Sequence, residues 1–365
     1  MSERHGNFQD VFSQLAEENL LDSDWEPKTR TLLAREHNEQ PWYVRIMVGF
    51  SAWLASWMLI GFVVGAAIVE SEQATLILGV VLVVGAVVGR CVSDNDFITQ
   101  MALAVSLAGE ALMIFGVAQF SDSFEITILS FVALEAVLLA FYPDIVHRFL
   151  SAASIIFALA ILLFEWKALD WVHVIVISFA MLFVLLVYAE QHFLARGQAR
   201  LLTPVKWGVL FGQLSVLMLS TVYVLPELMR DMQLFPNPWI SGIGLGLLLL
   251  YLVYELVKSE NFTLTSANTA ALYASCILVI ILSAMAPGLI MALIILLLGF
   301  ARVDRVLMSV AIGFFTVFLT AFFYGIELNL LTKSMLLIGV GALLIAGRFG
   351  LKFYLAAQKE IALNE

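Results

Sequence analysis

Two carboxylates stand in the middle of long apolar runs, Glu110 in one and Glu135 in the next. They belong to a hairpin from Phe97 to Tyr142, whose runs are joined by the polar turn Ser121-Asp122-Ser123. The two positions are nearly equidistant from that turn, so antiparallel pairing sets them at similar depth. At ~1.5 Å per residue this is roughly 16–19 Å from the turn, near the centre of a ~30 Å hydrocarbon layer. An acid at that depth costs roughly 2.5–3.5 kcal/mol on insertion scales, which marks it as functional or paired. No Lys or Arg interrupts the central runs. Two such acids without a base share a proton or stand as neutral acids. The chemistry this suggests is a proton or cation site on a transport path. The same groups also suit hydrogen-bonded clamps between helices. Gln213, the amide set deepest in an apolar run, joins Glu110 and Glu135 as the third candidate.

Other polar groups within the runs are Ser215, Ser220, Thr221, Asn268, Ser275, Ser283, Thr316 and Thr320, for which hydrogen bonding between helices is expected. Glu190 and Glu255 fall near helix ends, within reach of water or nearby bases. Of the histidines His5, His37, His147, His173 and His192, no two have i, i+4 metal spacing, and the last three are expected at membrane interfaces in structural roles. No HExxH, phosphate-binding loop, GxGxxG turn or GxSxG elbow occurs. No catalytic residue, metal or cofactor is therefore assigned, and an enzyme is not expected. Cys91 and Cys276 are expected to be unpaired thiols.

The elements that position these groups follow from composition. The chain has 365 residues, 62% hydrophobic and 13% charged. Soluble domains run near ~45–50% apolar and ~25% charged. With a mean hydropathy of +0.96, the expected partner is a lipid bilayer. A net charge of −10 argues against a nucleic-acid partner, which requires a basic face. Apolar runs follow near 46–69, 74–89, 97–119, 124–142, 149–164, 171–193, 205–225, 239–257, 267–284, 287–300, 304–323 and 333–355. The fold expected is an all-α polytopic transmembrane helical bundle of about 12 spans. The pair 267–300 also fits a re-entrant hairpin, which would leave 10 full crossings. With the N-terminus inside, only Lys167, Arg230 and Lys333 of the 19 basic residues fall in outer loops. Such a bias predicts both termini in the cytoplasm.

Residues 1–45 read as a cytosolic amphipathic segment, 46–355 as one membrane domain and 356–365 as a cytosolic tail. Phe8, Val11, Phe12 and Leu15 have helical apolar spacing, and Ser23-Asp24-Trp25-Glu26 has that of a capping box. The polar N-terminal stretch is unlike a cleavable signal peptide, so the first apolar run is expected to direct insertion. Glycines recur four apart at 61/65, 85/89, 208/212 and 242/246, a spacing that lets helix backbones approach closely.

The most distinctive stretch is Phe322-Phe323-Tyr324-Gly325-Ile326-Glu327-Leu328-Asn329-Leu330-Leu331-Thr332-Lys333-Ser334, read as an outer hairpin. Together with Pro41-Trp42-Tyr43-Val44-Arg45, Trp53 and Leu54, it resembles a family of polytopic bacterial inner-membrane proteins of unknown function. Genes of that family often lie beside one for a small membrane-anchored protein with a GDYXXLXY motif. The resemblance implies the bacterial cytoplasmic membrane and a partner of that kind, with Tyr324, Glu327 and Lys333 as candidate contacts. It supplies no catalytic residues. Two functions are thus expected: an accessory or scaffold subunit of an envelope complex, and, as the alternative, a proton-coupled secondary transporter.

Overall fold

The computed structural model of the chain describes residues 72–92, 96–196, 199–224, 235–259 and 266–325, with single helical positions between 47 and 62 and at 331. Every regular element among them is helical. The order is α1 (Glu72–Val92), α2 (Asp96–Ser121), α3 (Phe124–Phe141), α4 (Ile145–Glu165), α5 (Val172–Ala195), α6 (Ala199–Met218), α7 (Pro238–Ser259), α8 (Ser266–Ser283), α9 (Pro287–Ala301) and α10 (Arg305–Gly325). Each expected run from 74 to 323 becomes a helix, displaced by a few residues at its ends. The segments 1–45 and 356–365 and the run 333–355 lie outside the described residues. The largest displacement is at α6, expected from 205 but starting at Ala199 with Pro204 inside it. A proline so near the start loses only the bond to the Arg200 carbonyl.

Among the described residues seven helices, α1 to α7, are long and apolar enough to cross a membrane, and α9, with 15 residues, is a shorter apolar helix. The interior is mostly apolar, but the helices also bury polar groups while exposing apolar ones. On α3, Phe124, Leu129, Val137 and Phe141 are exposed while Thr127 and Glu135 are buried. That inversion suits lipid, where polar groups must be satisfied within the protein.

The chain divides into two compact units. Of the described residues, the first holds 78–92 and 96–111 with the helical positions between 47 and 62. There α1 and α2 run antiparallel at close approach, Gly109 lying against the Gly79 carbonyl and Val83. The second unit holds 72–77 and everything from 112 onward.

Within the second unit, glycines fix how the helices pair. Gly208 and Gly212 of α6 lie on Phe149, Ala152 and Ala153 of α4, so these two helices run parallel. Gly244 of α7 meets Ile177 of α5. Gly242 and Gly246, on another face of α7, meet Ala284 and Ile280 at the C-terminal end of α8, an antiparallel pair. Gly288 and Gly299 of α9 lie under Phe318 and Met308 of α10. By contrast, Gly85 and Gly89 meet nothing, so their four-residue spacing serves no close packing among the described residues.

Helix α9 lies in the centre, with Leu289, Ile290, Met291, Ala292, Ile294, Ile295 and Leu298 all buried. A helix apolar on all sides is enclosed by protein, and an enclosed helix need not match the bilayer in length. Its 15 residues span about 22 Å. Its neighbour α8 instead keeps Ile277, Leu278, Ile281 and Leu282 exposed.

Helix ends are closed by local chemistry. Ser123 caps α3 by accepting from Ile126 N–H, and Asp144 caps α4 by accepting from His147 N–H. Asp304 Oδ1 accepts from both Val306 and Leu307 N–H at the start of α10. Lys206, at the inner end of the run 205–225, is buried on α6, where its ammonium donates to both oxygens of Glu190 on α5 at 2.7 and 2.8 Å. Arg302, at the end of α9, lies over the Tyr188 ring of α5. The helix pairings thus gather Arg148, Lys206, Lys258 and Arg302 at one end of this unit.

Candidate functional site

Glu110 lies one turn after Ser106 on α2, and the Ser106 hydroxyl donates to its Oε1 at 2.7 Å. Both are buried, Glu110 at 5% exposure. Glu135 is equally deep, at 4%, on α3. Glu110 belongs to the first unit and Glu135 to the second. Ile128 packs with Ala158 and Leu162 of α4. Two turns further along the antiparallel register, Glu135 comes level with Ser151 and Ser154.

From that level toward the start of α4 runs a column of buried polar groups that sequence spacing did not reveal. Ser151 Oγ and His147 Nδ1 are 3.1 Å apart. The His147 ring packs against the Tyr142 ring at 4.3 Å between centroids. Asp144 Oδ1 accepts from the His147 backbone N–H at 2.9 Å. All four residues are buried, together with Arg148. His147, in the first turn of α4, is enclosed by protein. Its sequence signal was the pattern Asp144-x-x-His147-x-x-x-Ser151: a capping acid three residues before the imidazole and a hydroxyl one turn after it.

A second polar cluster occupies the core between α5, α6, α7 and α9. Gln213, at 1% exposure, donates through Nε2 to the Val176 carbonyl at 3.0 Å and lies 3.6 Å from Met291 Sδ. Its Oε1 has no partner among the described residues. One turn before Val176, His173 is also buried, with Nδ1 2.7 Å from Ser241 Oγ. Phe235 packs edge-on against the imidazole at 5.4 Å. The structure thus sets Gln213 against the turn of α5 that follows His173, which itself holds Ser241, groups that sequence had not linked to it. Nothing local in sequence relates positions 173, 213 and 241; the packing of three helices does.

Of the remaining candidates, Tyr324 lies in the last turn of α10, and Glu327 and Lys333 lie outside the described residues. The hydroxyls expected to bridge helices mostly serve their own. Ser215 and Thr316 donate to the carbonyls four residues back, and Ser220 and Thr221 to those three back.

Apolar spanning helices with acids, histidines and an amide buried among them define a multi-pass helical membrane protein. Residues 41–354 match the family described as Domain of unknown function (DUF4401), and the chain belongs to that family. The matched span includes both the Pro41-Trp42-Tyr43 segment and the stretch 322–334 on which the resemblance rested. No curated protein and no solved structure matches the chain.

Proposed function

We propose that the chain is a proton-coupled secondary transporter of the bacterial cytoplasmic membrane, with Glu135 as its principal proton-carrying acid. The observation that carries this reading is a carboxyl group at 4% exposure on a helix whose exposed residues, beyond Glu125 in the first turn, are apolar. Such a group is retained at a cost in lipid, and its level on α4 begins a column of serine, histidine, tyrosine and aspartate toward one end of the bundle. A column of groups able to donate and accept hydrogen bonds suits proton movement between Glu135 and water. Glu110, with its Ser106 donor, is the second proposed acid, and Gln213 lines the route of the solute.

The reading includes about 12 crossings with both termini in the cytoplasm, supported by the charge bias of the loops. The gathering of Arg148, Lys206, Lys258 and Arg302 at one end of the second unit supports the same orientation. The test is proton flux in liposomes carrying the purified chain. Glu135→Gln keeps the shape of the side chain but cannot cycle a proton, so flux should fall at least tenfold while the protein still inserts. Unchanged flux in this variant removes Glu135 from the mechanism.

Membership of the family favours a second reading, an accessory subunit of an envelope complex. The partner would be the small GDYXXLXY-motif membrane protein, with Tyr324, Glu327 and Lys333 as contacts. Gentle-detergent purification from the native host, followed by mass spectrometry, tests it. A stoichiometric small membrane protein supports the subunit reading, and a chain that elutes alone removes it.

A further inference from the structure

The core between α5, α6, α7 and α9 is deeply buried, yet among the described residues it holds two polar side chains with an atom left over. Gln213 is fixed in orientation, because the Val176 carbonyl only accepts and so takes the amide nitrogen. Its Oε1 is then an acceptor, enclosed and without a partner among the described residues. His173 Nδ1 lies against Ser241 Oγ and the Pro236 backbone carbonyl accepts from the ring, while Nε2 meets no close partner among the described residues. The two residues act from neighbouring turns of α5, since Gln213 reaches Val176 and His173 is three positions earlier, about 4.5 Å along the axis. An orphaned buried polar atom costs roughly 1–3 kcal/mol. Native cores hold few of them, and each calls for an occupant or a function.

We propose that this cluster is the solute-binding site of the carrier, and that it takes a small neutral molecule presenting N–H or O–H donors, of the amide type. The inference rests on the transporter reading for the role of the site, but not for its chemistry. Gln213 Oε1 demands a donor. His173 Nε2 donates or accepts according to its tautomer, so it pairs with either end of an amide. The described groups that form the cluster, Val176, Gln213, Ser241, Met291 and Phe235, carry no charge to balance an ion. An anion would find no lysine or arginine there, and the carboxylate that acts on His173, Asp170, is itself exposed and stands outside the enclosed core. The walls of Met291, Phe235 and Val176 suit the apolar part of such a solute.

The test uses the full chain in lipid nanodiscs and three probes of similar size: acetamide, acetate and methylammonium. Thermal unfolding is followed as each is added. Acetamide should raise the midpoint along a saturating curve by about 2–4 °C, because it binds the folded state only. Acetate and methylammonium should give no saturating shift. Gln213→Leu should abolish the acetamide response and leave the starting midpoint equal or higher, since it removes an orphaned acceptor without opening a cavity. His173→Phe supplies the same comparison if the leucine variant does not fold. Absence of a saturating acetamide shift overturns the proposal, as does a shift that survives in both variants or one matched by either ion. A Gln213→Leu midpoint that rises while acetamide has no effect identifies the site as an internal water site, which also overturns it. The two readings fail separately. Lost flux in Glu135→Gln without an acetamide response keeps the carrier and removes this site. An acetamide response in a chain that moves no protons keeps the site and removes the carrier.

Discussion

Gln213 and Ser215 lie two residues apart on α6 and are satisfied in opposite ways. The Ser215 hydroxyl is short enough to fold back onto the Phe211 carbonyl of its own helix at 2.8 Å. The longer Gln213 amide crosses to the Val176 carbonyl of α5. Ser and Thr in apolar helices therefore say little about neighbours, because back-bonding within the helix is always open to them. Gln, His and Glu do not fold back onto their own helix carbonyls in this way and need another side chain, another helix, water or a ligand, as Glu110 finds Ser106 and His147 finds Ser151. That is why Gln213, Glu110 and Glu135 could be singled out in the sequence, and why the expected bridging hydroxyls went astray. A different residue-scale feature is Val303, which ends α9 with a φ of 54° and is 80% exposed. A β-branched side chain in that left-handed conformation costs about 1–2 kcal/mol. Glycine relieves this but frees the unfolded chain, at a cost of about 0.5–1 kcal/mol. Val303→Gly should therefore raise stability by about 0.5–1 kcal/mol, read as a higher unfolding midpoint in detergent.

Among elements, the glycine pairs show how far spacing alone carries. The same four-residue interval occurs at 85/89 and at 208/212, but only the second pair lies against another helix. Spacing places two glycines on one face, while what that face meets is set by the fold. The reverse failure is Gly109 with Gly116, which lie seven apart, outside the pattern sought, yet both contact α1. Replacements at the two kinds of position should diverge. At Gly208 an added methyl group would collide with the Phe149 carbonyl and the Ala152 side chain. Neither can swing aside, so Gly208→Ala should push α6 off α4 and cost about 1–3 kcal/mol. At Gly85 nothing stands in the way, and alanine gains helix propensity worth up to ~1 kcal/mol. Unfolding of both variants in one detergent provides the check: Gly208→Ala should melt lower than the parent and Gly85→Ala the same or higher.

For the molecule as a whole, hydropathy located the helices well because each apolar run is bounded by charged or turn residues, and a lipid-facing helix must be long and apolar on its outer face. Hydropathy did not distinguish α9 from its neighbours, since burial in protein and burial in lipid select the same residues. The run of basic residues was equally plain, and it makes orientation testable with groups already in the chain. Cys91 is exposed in the last turn of α1, beside Arg90, on the side proposed to be cytoplasmic. Lys167 is exposed in the turn between α4 and α5, with φ at 55°, on the side proposed to be external. A membrane-impermeant maleimide should therefore leave Cys91 unlabelled in intact cells and label it in inside-out vesicles. In a Lys167→Cys variant with Cys91 and Cys276 replaced by alanine, the pattern should reverse. Labelling of Cys91 from outside would invert the bundle and place Arg148, Lys206, Lys258 and Arg302 on the external face. The column from Glu135 through Ser151 and His147 would then open outward, and proton entry and release in the proposed cycle would exchange sides.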